Sequence, residues 1–74
     1  MKVRADFAGG RVVPLLVRRG ARVHRVERVN AWWEEREGSE KVLWFSVSVD
    51  SGDVFRLSLR SEQMVWRLES VVLP

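Results

Sequence analysis

Leu43, Phe45, Val47 and Val49 alternate with Trp44, Ser46 and Ser48, and Phe55, Leu57 and Leu59 alternate with Val54, Arg56, Ser58 and Arg60. A two-residue hydrophobic period places every second side chain on one face of a pleated strand, whereas a helix would scatter the same residues around its axis. Asp50-Ser51-Gly52-Asp53 separates the two runs and supplies turn chemistry, with a glycine free to take positive φ. A polar break at Ser61-Glu62-Gln63 follows, and then Met64, Trp66 and Leu68 alternate with Val65, Arg67 and Glu69. Residues 42–72 therefore read as a three-stranded meander.

The first half is less regular. Val3, Ala5 and Phe7 alternate with Arg4 and Asp6 until Gly9-Gly10 breaks the run. Residues 13–18 read as a strand closed by a turn at Arg19-Gly20, and Pro14, which has no ladder donor, belongs at its start or on an edge. Val23, Val26 and Val29 recur every three residues, with Trp33 four further on. That spacing also suits a helix face. Three side chains stiff at χ1 and the lack of an N-cap argue instead for a strand with a bulge, which shifts the alternation by one residue. Residues 34–41 form a solvated loop or the tip of a long hairpin.

Residues 1–74 make one small domain, and with no cysteine it has neither disulfides nor thiolate metal sites to staple it. Packing must hold it together, and four Trp and three Phe, each burying about 150–250 Å², are enough for a compact core. The alternative is that a partner subunit completes that core. Five or six short strands predict an all-β fold, a small antiparallel meander closing into an SH3-like barrel or half-barrel, because closure removes exposed edges. Trp66 is expected inside. Of Trp32 and Trp33 one should face in and one out, and the same holds for Trp44 against Phe45.

The pattern of a Pro before a short apolar strand (Pro14), Arg19-Gly20, Arg22, Val26 and Val29, Trp32 or Trp33, Trp44-Phe45, Asp50-Ser51-Gly52, Leu57 and Trp66-Arg67-Leu68-Glu69 resembles a family of short bacterial proteins of unknown function. Some members of that family are encoded beside translesion-type DNA polymerases. The resemblance covers about residues 10–72, and it departs where relatives carry a central aromatic and this chain has Leu15, Leu16 and Val17. It implies a β fold and no particular activity.

Catalysis needs a nucleophile, an acid–base group or a metal in a concave site. His24 is the only histidine, there is no Cys or Tyr, and a lone His cannot pair with another to hold zinc. Glu34, Glu35, Glu37 and Glu40 share one polar segment with Arg36 and Lys41, the composition of a solvated, self-neutralised tip. Ser46, Ser48 and Ser58 alternate with core residues as outward strand serines, and Gly9-Gly10-Arg11 lacks the rest of a phosphate loop. The expectation is a protein that is not an enzyme and carries no cofactor or metal.

Binding is the open question. Residues 1–28 hold eight basic groups against two acidic ones, and residues 29–74 hold five against eight, so the first part is strongly positive and the second negative. Such asymmetry marks a nucleic-acid or acidic-partner surface, or equally two halves of one molecule that attract each other, or a head-to-tail dimer. Arg18, Arg22, Arg25 and Arg28 lie on what read as adjacent strands, near Trp33 and Trp44. Alternation turns Arg18, Arg22 and Arg28 outward. Two readings follow. The first is an interaction module whose partner is another protein or a second copy in a homodimer. The second is an accessory domain binding single-stranded nucleic acid through Arg18, Arg22, Arg25 and Arg28 with Trp33 or Trp44, phosphates meeting guanidinium groups and bases stacking on indoles. The charged first residues, Met1 to Asp6, and the lack of a long apolar run point to a cytoplasmic chain with no membrane partner.

Overall fold

Six strands run through residues 1–73, the part of the chain that the computed structural model describes: β1 (Lys2–Ala8), β2 (Arg11–Arg19), β3 (Arg22–Glu37), β4 (Glu40–Val49), β5 (Val54–Arg60) and β6 (Val65–Val72). Every strand pairs antiparallel with the next, in the order β1-β2-β3-β4-β5-β6. Among the described residues no helix is long and apolar enough to cross a membrane. The all-β meander is as the alternation predicts, but barrel closure is not: β1 does not pair with β6, and both remain free edges.

The reason lies in β3. It pairs with β2 only through Arg22–Arg25 and with β4 only from Val26 onward, so its 16 residues belong to two pairings in succession. A three-stranded part and a four-stranded part share this one strand and face each other. Their inner faces meet in a single cluster of Val17, Phe45, Val47, Val49, Phe55, Leu57 and Leu59. One change of partner folds the sheet over its core but does not bring the outermost strands into hydrogen-bonding register.

Two bulges in β3 account for its period of three. Val26 opposes Val49 and Arg28 opposes Ser48, leaving Glu27 as an extra residue; Val29 opposes Val47 and Ala31 opposes Ser46, leaving Asn30. Each inserted residue flips the alternation. The inward series is therefore Val26, Val29 and Trp32, while Val23 lies on the other face and is exposed. Residues 34–41 are the tip of the long β3–β4 hairpin, closed at Gly38-Ser39. Pro14 sits within β2 rather than at its start, buried and opposite Ala5. It is tolerated there because this stretch of β2 has a neighbour, β1, on one side only. The β1–β2 turn needs positive φ at both Gly9 and Gly10 (60° and 74°), a demand that glycine meets without strain.

Trp66 is only half-buried. Its ring packs 5.6 Å from Phe45 on the inner face, but β6 is an edge strand and leaves one side open. The turn before β6 holds a strained residue: Met64 has φ of 54° and an exposed side chain. The left-handed conformation costs a residue with a Cβ about 1–2 kcal/mol, partly offset by the backbone entropy that glycine adds to the unfolded chain. Met64→Gly should therefore raise stability by up to about 1 kcal/mol in urea denaturation; an unchanged or lower midpoint would show that the methionine side chain contributes packing at this turn.

Candidate functional site

Residues directly opposed across a sheet point to the same side, so the register carries each face from strand to strand. On the outer face of the three-stranded part, Lys2, Arg18 and Val23 form one row, and Arg4, Leu16 and Arg25 form the next. Four cations thus flank two aliphatic side chains, with opposed Cβ atoms about 5 Å apart. All four cations are exposed, and among the described residues none of them joins an ion pair. Arg18 donates through Nε to the Gly20 carbonyl at 3.3 Å. Past the change of partner in β3, Arg28 continues the same face opposite Ser48, its Nε donating to Asn30 Oδ1 at 2.8 Å.

Trp33 and Trp44 are opposed on this face and stack in parallel, with centroids 6.0 Å apart and an interplanar angle of 4°. The Arg56 guanidinium lies over Trp33 at 5.6 Å. Ser58 and Val42, beside Trp44 on the same side, are buried although they face away from the main core. The outer face therefore carries its own small aromatic cluster, in which the Trp44 indole N–H has no hydrogen-bond partner among the described residues.

Arg22 does not belong with the others. The turn at Gly20-Ala21 sets Arg19 opposite Arg22, so Arg18 shares its face with Val23 instead. Arg19 lies over the core ring of Phe55 at 5.5 Å, which places the Arg19–Arg22 pair on the inner side. The expectation that alternation turns Arg22 outward with Arg18 fails because that turn holds two residues, so positions 18 and 22 cannot oppose. Of the six residues singled out by sequence, Arg18, Arg25, Arg28, Trp33 and Trp44 come together on one face. Lys2, Arg4 and Arg56 join them without having been singled out, and only the alternation of charge in Lys2-Val3-Arg4 hinted at this.

A second feature opens on the inner side, where the start of β2 leaves β3. Trp32 opposes the buried Phe45, as the in-and-out rule for adjacent tryptophans requires. Yet Trp32 is 46% exposed, because no strand covers it there. Facing inward and being buried are separate properties in an open sheet. The Arg11 guanidinium sits 5.4 Å over its ring, and Gly10, Val12, Glu34, Leu43 and Phe45 complete a cleft of about 90 Å³.

His24 is 5% exposed, edge-on to Phe55 at 5.0 Å. Its Nδ1 lies 3.9 Å from Asp50 Oδ1, beyond hydrogen-bond reach, and its Nε2 has no partner among the described residues. The acidic tip is neutralised differently from the expectation. Lys41 meets Glu34, but the principal cation is Arg60 from β5, which donates to Glu40 at 2.7 Å and to Glu37, while Arg36 joins no ion pair among the described residues. The hydrogen bond to Glu40, then that to Glu37, holds the Arg60 guanidinium above its ordinary value. Among the described residues no group of three or more His, Asp or Glu side chains is placed to hold a metal ion.

Compared with known proteins, the chain matches no family model, no curated protein and no solved structure.

Proposed function

We propose that this protein is a non-enzymatic interaction module that binds protein, a second copy of itself included, by adding an extended strand at the open edges of a half-barrel. One observation carries the reading. Of the eight large hydrophobic residues that are exposed among the described residues, Met1, Phe7, Met64, Val65, Val72 and Leu73 lie on β1 or β6 or directly beside them. A free edge presents unpaired N–H and C=O groups, and proteins that must stay monomeric blunt such edges with charge, proline or cover. Here neither edge strand contains a proline; β1 carries Lys2, Arg4 and Asp6 and β6 carries Arg67 and Glu69, yet exposed apolar side chains gather at both. Main-chain pairing with alternate side chains seated beside it is the general mode of strand addition.

Light scattering across a concentration series tests the reading. The protein should associate as concentration rises, and Phe7→Lys with Val72→Lys should weaken that association at least about tenfold, since each replaces an exposed edge hydrophobe by a charge. Thermal stability should change little, because both side chains are more than half exposed. A chain that stays monomeric and also fails to bind any peptide in an extended-peptide library would sink it.

A further inference from the structure

We infer that the outer face of the sheet is a second binding surface, for single-stranded nucleic acid. The inference is independent of the edge reading, because it uses side chains on the face rather than backbone at the rim.

Three observations converge. The first is unneutralised charge: Lys2, Arg4, Arg18 and Arg25 occupy adjacent positions on two rows, and Arg28 follows on the same side. Every ion pair involving Lys or Arg among the described residues lies instead near the β3–β4 tip. Like charges directly opposed destabilise a sheet, so a row such as Lys2–Arg18 is unfavourable until an anion lies across it. The second is the type of cation. Four of the five are Arg, whose planar fork meets a phosphate through two hydrogen bonds, whereas Lys offers a point charge. The third is the Trp33–Trp44 stack, partly exposed on the same face about 15 Å along β3 from Arg28, where a base would take the place of the Arg56 guanidinium over Trp33. Aromatic rings beside a cationic track are the two parts that a sequence-tolerant single-strand platform requires. An acidic peptide would use the charges alone; a membrane interface would use the charges, Leu16 and the indoles together, and the vesicle arm of the experiment separates it from a single strand.

The experiment is a titration of fluorescein-labelled oligo-dT of 12 nucleotides with the full chain, read by anisotropy at 50 and 200 mM salt. Five phosphate contacts on a single strand give a salt slope of about −3.5, so affinity should fall about a hundredfold over that range. Arg18→Glu with Arg25→Glu should lower affinity at 50 mM more than about tenfold and flatten the slope by about 1.4, the share of two contacts. Arg22→Glu with Arg36→Glu changes net charge equally but away from the cationic rows, and should cost less than about threefold. Indole emission should be quenched on binding, and Trp33→Leu should cost about tenfold while leaving the salt slope unchanged. Both double variants and Trp33→Leu are checked for an unshifted melting curve; where Trp33→Leu does not fold, quenching in the unaltered chain decides the stacking. The inference is overturned by no binding at 50 mM, by equal losses in the two charge-matched variants, by absence of quenching, or by polyphosphate or phosphatidylserine vesicles binding as tightly as the oligonucleotide.

Discussion

Phe55→Ala should remove a large share of the protein's stability. Phe55 is fully buried at the centre of the molecule, paired with Val47 on one side and Val71 on the other. It also meets the edge of His24 and lies under Arg19, so one ring joins the inner faces of both parts of the sheet. Truncating a buried Phe to Ala costs about 3–5 kcal/mol, from lost transfer energy and the cavity left behind. A chain of 74 residues has about 4–11 kcal/mol to lose. Circular dichroism and urea denaturation should find a variant that is largely unfolded or melts tens of degrees lower. A drop of less than about 1 kcal/mol would show that the site collapses around the missing ring and that the core lies elsewhere.

His24→Leu should do the opposite. The imidazole is buried with Nε2 unpartnered and Nδ1 too far from Asp50 to bond. An unsatisfied buried polar atom costs about 1–3 kcal/mol, and an apolar side chain of similar volume removes that penalty while keeping contact with Phe55. Asp50 is about half exposed and keeps its hydration when the histidine goes. The expected gain is about 1 kcal/mol, or about 4–8 °C in the melting temperature of a domain this small. A lower melting temperature would mean that the imidazole is hydrogen-bonded in solution.

The two outcomes differ because the residues were legible in the sequence to different degrees. Phe55 sits in an unbroken two-residue alternation, and such a pattern gives both the strand and its buried side without knowledge of neighbours. The whole β4–β5–β6 meander could be read in this way. His24 lies in β3, where bulges at Glu27 and Asn30 reverse the faces twice, and nothing local marks which residue is the inserted one. The placement of Arg22 went astray for a related reason, since its face depends on which residue of β2 stands opposite. Lys2 and Arg4 could not be joined to Arg18 and Arg25 until the pairing of β1 with β2 was known. Trp32 shows another limit: its direction follows from parity, but its exposure depends on whether a distant strand covers it.

The partner change within β3 bears on how the molecule comes apart. The β1–β2 hairpin is anchored by four register pairs with β3, by Val17 within the shared cluster and by the partly buried Val3 and Val12 packed against it, while the other six cluster members belong to β4 and β5. Cooperative units open in order of the apolar contact that holds them. The first twenty residues are therefore expected to open before the remaining four strands lose their ladder, and whatever seats across the cationic rows of β1, β2 and β3 would hold the hairpin in place.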